Sequence, residues 1–172
     1  HFIIVILGKI SYNRYIKLGV FLMEIKNLVK TYENQIIENL TTLVSYPSVL
    51  DTSDAKYPFG KANADCLEAA LNLCEQYGFK TKNLDNYCGY AEIGEGEELI
   101  GVIGHLDVVP VSDGWKTDPF TLTRDGNKLY GRGSSDDKGP VCCSMAALQI
   151  VKQLRPNLNK RIRLIMGCNE ET

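Results

Sequence analysis

The segment that most constrains the fold is a nearly unbroken apolar run from Leu99 to Ile103. Such a run is typical of a strand that is covered on both faces, as in a sheet flanked by helices. Apolar residues at helical spacing predict helices over residues 24–45, 62–77 and 138–154. Further strands are predicted over residues 79–84, 87–93, 120–123, 128–130 and 161–168. This alternation of helices with buried strands predicts an α/β fold with a sheet of mixed direction.

Charge and cysteine content exclude several classes of protein. The chain has 19 Lys and Arg residues against 21 Asp and Glu, a net charge of −2. This balance gives no electrostatic case for binding nucleic acid. No apolar run reaches the ~18 residues that a membrane helix needs. The six cysteines form no Cys-x-x-Cys pair, which favours a reduced, cytoplasmic protein over a disulfide framework.

The first 22 residues differ in pattern from those that follow. They hold two short apolar patches separated by basic residues, without the longer apolar core and the cleavage site of a signal peptide. A regular amphipathic pattern begins at Met23. We therefore expect residues 1–22 to be a non-native upstream extension, with a genuine extra helix as the alternative, and the domain to begin at Met23.

His105 directly follows the apolar run, and Asp107 lies two residues further on. Open α/β sheets bind ligands beyond the carboxyl ends of their strands. Residues i and i+2 of an extended chain point the same way, so the Asp107 carboxylate should lie beside the imidazole. A carboxylate in this position fixes the tautomer of a metal-bound histidine. The alternative is a structural core histidine with a capping aspartate.

Two further polar clusters also follow predicted strands. One holds two glycines and the pair Asp136-Asp137, and the other holds Glu170-Glu171. Taken singly, they are also typical of a helix-capping loop and of a solvated surface patch. A phosphate-binding loop is excluded, because the G-x-x-x-x-G-K pattern is absent and two carboxylates would repel phosphate. Together with His105, they predict a site for zinc or a similar divalent ion at one end of the sheet.

Four segments in combination resemble a known enzyme family. They are Gly104 to Pro110, Tyr130 to Gly133, Asp136 to Gly139, and Asn169 to Thr172. They resemble the dinuclear zinc family of bacterial dipeptidases, carboxypeptidase G, aminoacylases and acetylornithine or succinyl-diaminopimelate deacylases. The resemblance is strongest to the PepV-type Xaa-dipeptidases and covers roughly residues 23–172. It implies a zinc-exopeptidase-like (phosphorylase/hydrolase-like) three-layer sandwich with a mixed sheet, of which this chain carries the N-terminal part.

The resemblance also implies a role for each candidate residue. His105 would bind one Zn²⁺ ion, Asp136 would bridge two, and Glu171 would bind the other, with Co²⁺ or Mn²⁺ as possible substitutes. Glu170 would be the general base and Asp107 would orient His105, so these two are the predicted catalytic residues. A cis peptide bond would join Asp136 to the residue after it.

The implied activity of the intact protein is metal-dependent hydrolysis of peptide or amide bonds, first of all in dipeptides. Its partner would be a small peptide, with no nucleic acid and no membrane, and its oligomeric state is not indicated. The alternatives are an N-acyl amino acid deacylase of the same family and an inactive, truncated metal-binding remnant. The family also has a lid or dimerisation domain, a further acidic ligand and a later histidine. We therefore expect residues 23–172 to be the N-terminal part of a catalytic domain, inactive by itself.

Overall fold

A computed structural model describes residues 12–172, with side chains from residue 22 onward. The described residues form two compact units, one ending at Glu33 and the other beginning at Asn34. No described helix is both long and apolar enough to cross a bilayer. The helices are α1 (Tyr12–Thr31), α2 (Glu33–Val44), α3 (Lys61–Gln76) and α4 (Lys138–Leu154). The strands are β1 (Lys80–Leu84), β2 (Cys88–Ile93), β3 (Leu99–His105), β4 (Thr123–Asp125), β5 (Lys128–Tyr130) and β6 (Arg161–Gly167).

The sequence predicts one helix over residues 24–45, but the structure has two helices there. The prediction of a single continuous helix is therefore wrong. A turn at Tyr32 separates α1 from α2. The Thr31 hydroxyl donates to the Leu28 carbonyl at 2.7 Å, and the Tyr32 N–H donates to the Val29 carbonyl at 3.0 Å. The Tyr32 N–H thus bonds to a carbonyl three residues back, which is the spacing of a turn or a 3₁₀-helix and not of an α-helix.

Helix α1 continues across the predicted boundary at Met23. Its first residue is Tyr12, so part of the segment predicted as an extension is helical, in keeping with the alternative of an extra helix. Residues 1–11 lie outside the described residues. The expectation that residues 1–22 are non-native stays a prediction.

Four strands form a sheet in the order β1-β2-β6-β3. The pairs β1–β2 and β2–β6 are antiparallel, whereas β3 and β6 are parallel. The predicted α/β class with a sheet of mixed direction is confirmed. The turn between β1 and β2 lies at Asp85 and Asn86, as predicted, with φ values of 53° and 62°. Asp and Asn adopt such positive φ values more readily than most residues, which explains the turn at this point.

Helices α3 and α4 cover the same face of the sheet. Gly89 and Gly104 both pair with Met166 of β6, so these three residues share a face. A Cβ atom at Gly89 would touch Leu67 of α3, and one at Gly104 would touch Val141 of α4. The core between helices and sheet is apolar. It includes Leu43, Leu67, Ala70, Cys74, Ala91, Met145, Leu164 and Met166.

Strand β3 lies at the edge of the sheet within the described residues, and its apolar side chains there are largely exposed. The expectation that both of its faces are covered is therefore wrong for this part of the chain. Leu99, Ile100 and Ile103 are 45%, 48% and 80% exposed. Leu99 and Ile103 alternate with Gly104 and therefore point to the face opposite α4. The apolar run indicates a strand correctly, but it carries no information about which elements lie beside that strand.

The predictions for helices over residues 62–77 and 138–154 are confirmed to within one residue. Gly78 ends α3 with a φ of 70°. The N–H of Phe79 donates to the carbonyl of Cys74 at 3.1 Å, as in a Schellman motif. Glycine is suited to this position because it adopts a positive φ without steric cost.

The second hairpin forms a separate two-stranded sheet of β4 and β5. Its first strand begins at Thr123, whereas the sequence predicted residues 120–123. Gly126, with a φ of 58°, lies in the turn. The sequence analysis expects the three strands that precede the polar clusters to belong to one sheet. That expectation is wrong for β5, the strand before the Asp136 cluster, because β5 pairs with β4 and is not part of the four-stranded sheet.

Candidate metal centre

The centre of the site is His105, the last residue of β3, of which only 7% is exposed. Strand β6 runs parallel to β3, and its Gly167 lies opposite His105. The chain that leaves β6 carries Glu170 and Glu171, and it therefore emerges beside the histidine. Two of the three predicted clusters thus meet at the carboxyl ends of neighbouring parallel strands.

The Asp107 side chain lies beside the His105 ring, in the place that the extended-chain argument predicts. Its Oδ1 is 3.4 Å from His105 Nδ1, and its backbone carbonyl is 3.2 Å from the same nitrogen. Asp107 Oδ1 is buried and has no hydrogen bond, so the imidazole nitrogen is the polar atom that it faces. Two acceptors at Nδ1 favour a proton on that nitrogen, which leaves the Nε2 lone pair available to a ligand.

Asp107 has a second role that the sequence analysis did not find. Its Oδ2 accepts the backbone N–H groups of Glu170 at 2.8 Å and Glu171 at 3.0 Å. One carboxylate therefore contacts the histidine ring and also holds the backbone of both predicted glutamates. The bonds join residues 63 and 64 positions apart, a separation at which local sequence patterns carry no signal.

Asp136 reaches His105 from the loop between the second hairpin and α4. Its Oδ1 is 3.1 Å from His105 Nε2, and its side chain is 78% exposed. The peptide bond to Asp137 is cis, as the resemblance implied. The third predicted cluster thus joins the other two, although its loop does not follow a strand of the main sheet.

Lys138 anchors the loop that carries Asp136, and sequence reasoning did not assign it a role. The residue is fully buried, and its Nζ donates to the carbonyls of Leu43 at 2.9 Å and Tyr46 at 2.8 Å. These carbonyls lie at the C-terminal end of α2, where a cation is favourable. Burial lowers the pKa of Lys138, and nearby Cys66 and Cys142 raise it in part. The contact joins the start of α4 to the end of α2.

Three side chains form a group that could hold a metal ion. Ligand atoms of His105, Asp136 and Glu171 all lie within 4.8 Å of one another. An imidazole nitrogen with carboxylate oxygens is a donor set that suits zinc and similar divalent ions, and the available Nε2 lone pair fits that chemistry. Glu170 lies beside the group, with its Oε2 3.8 Å from His105 Nε2 and its side chain 66% exposed.

The carboxylates around His105 change its basicity. Burial lowers the pKa of His105, but the hydrogen bond to Asp136 and the charges of Asp107 and Asp137 outweigh it. The pKa of the ring is therefore raised above its usual value. A proton held by the metal-free histidine competes directly with a metal ion for Nε2.

All six cysteines are free thiols in the structure. Burial raises the pKa of Cys74 and of Cys168 to about 12.

Comparisons with known proteins agree with this geometry. Residues 101–172, which contain all five predicted site residues, match the model of peptidase family M20/M25/M40. A putative dipeptidase of Bacillus subtilis (strain 168), YtjP, is 42% identical over 142 residues, which are 81% of this chain and 31% of that protein. The Beta-Ala-Xaa dipeptidase of Lactobacillus delbrueckii subsp. lactis is 36% identical over 153 residues, 87% of this chain and 33% of that protein.

Two solved structures of peptidases share the fold. Human carnosine dipeptidase 1 superimposes with a TM-score of 0.74 and 26% identity, over 88% of this chain and 35% of that chain. An M20 family metallo-carboxypeptidase from Sulfolobus solfataricus gives a TM-score of 0.63 and 26% identity, over 79% and 31% of the two chains. The chain spans about a third of the length of the curated relatives it matches. The similarity to peptidase family M20/M25/M40 therefore covers residues 101–172, the part of the chain that holds the candidate metal centre.

Proposed function

We propose that a polypeptide containing this chain is a metal-dependent dipeptidase. The observation that carries the proposal is the group formed by His105, Asp136 and Glu171, whose ligand atoms lie within 4.8 Å of one another, with Glu170 alongside. The relatives named dipeptidases and the related metallo-carboxypeptidase support both the substrate class and the dependence on metal. A small peptide is the proposed substrate, and the cytoplasm the proposed location.

The proposed metal is Zn²⁺, with two ions in the complete site. His105 would hold one ion through Nε2, Glu171 would hold the other, and Asp136 would contribute to both. When bound, such ions make a water molecule more acidic and polarise a carbonyl oxygen. In this chain Asp107 keeps the proton on His105 Nδ1, so that Nε2 is available for binding.

Glu170 is the proposed general base. Its carboxylate lies 3.8 Å from His105 Nε2, which is close enough to take a proton from a water molecule held between the ligands. Its backbone N–H is held by Asp107, while its side chain remains 66% exposed and free to move toward a substrate. Glu170 could then pass the proton to the departing amine.

A groove next to the site has a suitable size for a small peptide. Its volume is about 460 Å³, and it is lined by His105 and Glu170 together with the aromatic side chains of Phe59 and Tyr87. Ligand pockets for small molecules are mostly apolar with a few polar groups, and they fall in this range of volume. The groove therefore supports a small substrate with an apolar part.

The test uses Glu170→Gln and Glu171→Gln in a polypeptide of the full length of the relatives, assayed for dipeptide hydrolysis and zinc content. Glu170→Gln should retain zinc and lose roughly 10²–10⁴-fold in kcat, since only the base is removed. Glu171→Gln should lose zinc and activity together. Glu68→Gln, an exposed change on α3, is the matched control and should alter neither.

The outcomes separate the roles of the two glutamates. Loss of zinc in Glu170→Gln with retention in Glu171→Gln would mean that the assignment of the pair is reversed. Unchanged hydrolysis in both variants would disprove the proposed function.

A further inference from the structure

Asp137 directly follows the proposed ligand Asp136. The carboxylate of Asp137 makes no bond to the helix that it precedes and contacts another segment of the chain. Asp137 occupies the N-cap position of α4, yet it makes no side-chain hydrogen bond to that helix. Aspartate at this position ordinarily accepts an N–H group from the first turn of its own helix. Asp137 Oδ2 instead accepts the backbone N–H of His105 at 3.1 Å.

This bond lies at the open edge of β3. The next N–H along the chain, that of Leu106, donates to Gly167 on the β6 side at 2.9 Å. Successive N–H groups of a strand point to opposite edges, so the N–H of His105 points away from β6. No strand of the described residues lies on that side. The carboxylate of Asp137 therefore takes the place of a neighbouring strand at this one residue.

Gly104 makes the approach of the carboxylate possible. A Cβ atom at position 104 would lie 2.6 Å from Asp137 Oδ2 and 2.8 Å from Val141 Cγ2, both shorter than real contacts of a Cβ atom. The glycine before His105 is thus explained by the side chain that packs against it.

We propose that Asp137 is a positioning residue that sets the distance between His105 and Asp136. The two consecutive aspartates bind the same histidine at two points, Asp136 at Nε2 and Asp137 at the backbone N–H. This arrangement fixes the loop against the end of β3, and the spacing of the two ligands follows from it. Metal sites depend on such supporting bonds, because ligands must be held within about 0.5 Å of a productive geometry. The inference rests on the proposed metal centre.

The test compares Asp137→Leu with Asp137→Asn in the full-length polypeptide that is used to test the proposed function. Leucine has a similar size but no acceptor, whereas asparagine keeps one. Zinc affinity, measured by competition with a chromophoric chelator, should fall by roughly 10–100-fold in Asp137→Leu. In Asp137→Asn the zinc affinity should stay within about threefold of that of the unsubstituted protein. A decrease of this size is what the loss of one negative charge near the metal would cause in water. Asp125→Leu, in the remote hairpin, controls for removal of a carboxylate.

Hydrogen exchange of the His105 amide supplies a readout that does not depend on metal. Exchange should become faster in Asp137→Leu and stay slow in Asp137→Asn, while thermal unfolding verifies that both variants fold. If Asp137→Asn loses as much affinity as Asp137→Leu, the residue acts through its charge and the inference is wrong. It is also wrong if Asp137→Leu binds zinc as the original chain does. Absence of zinc binding by the unsubstituted full-length polypeptide would instead overturn the metal centre, and this inference with it.

Discussion

Replacement of Asp107 by alanine should separate the structural and the metal-orienting parts of the site. The residue is 3% exposed, and its Oδ2 accepts two N–H groups at 2.8 and 3.0 Å. A hydrogen bond to a charged group contributes about 1.5–3 kcal/mol. Two such bonds would give roughly 3–6 kcal/mol. The N–H groups of Glu170 and Glu171 are near the surface, and water can replace part of the loss. We therefore expect Asp107→Ala to lower the free energy of unfolding by about 3 kcal/mol.

The partner variant, Asp107→Asn, keeps an oxygen that can accept both N–H groups. Its stability should stay within about 1 kcal/mol of the original. It loses the negative charge beside His105 Nδ1, although the backbone carbonyl 3.2 Å from that nitrogen remains. Zinc affinity should therefore fall by about tenfold, the lower end of the effect expected for a supporting residue. In Asp107→Ala, stability and zinc affinity should fall together.

Thermal unfolding followed by circular dichroism, with and without zinc, measures these quantities. For a chain of this size, about 3 kcal/mol corresponds to a decrease of roughly 6–12 °C in Tm. An unchanged Tm in Asp107→Ala would refute the argument that Asp107 holds the two glutamates. Equal loss of stability in Asp107→Asn would show that charge, and not hydrogen bonding, stabilises this region.

Two further predictions concern Lys138 and pH. Lys138→Met removes the bonds to the carbonyls of Leu43 and Tyr46 but also removes the cost of burying an ammonium group. We expect a net loss of about 3 kcal/mol, measured by urea unfolding, and an unchanged midpoint would contradict it. Burial lowers the pKa of His105, but the bond to Asp136 and the charges of Asp107 and Asp137 raise it above 6.5. Zinc affinity should accordingly increase as pH rises through that raised pKa, and the stability that the protonated ring gives the metal-free chain should be lost over the same range. A His105→Gln variant, followed by thermal unfolding at each pH, should lack this dependence.

The elements that the sequence predicted well have strong local signals. Helix α4 begins and ends at the predicted residues, with Pro140 in its first turn and Pro156 just after its end. Gly78 follows the C-cap of helix α3, and the first hairpin turns at Asp85-Asn86. Each signal acts over a few residues, because it depends on backbone angles and on short hydrogen bonds. The apolar spacing continues across Tyr32, and for that reason it does not reveal the break between α1 and α2.

The types of the candidate ligands were also visible in the sequence, but their arrangement was not. His105, Asp136 and Glu171 stand out as metal-binding residue types after predicted elements, and resemblance to a family assigns their roles. Only the tertiary structure shows how they are supported. Asp107 holds the glutamate backbone 63 and 64 residues away, and Asp137 holds the histidine backbone 32 residues away. These bonds form between segments that the parallel pairing of β3 with β6 and the docking of α4 bring together. Local periodicity reports which side chains a segment buries, whereas the partner of each buried polar group is decided by the packing of distant segments.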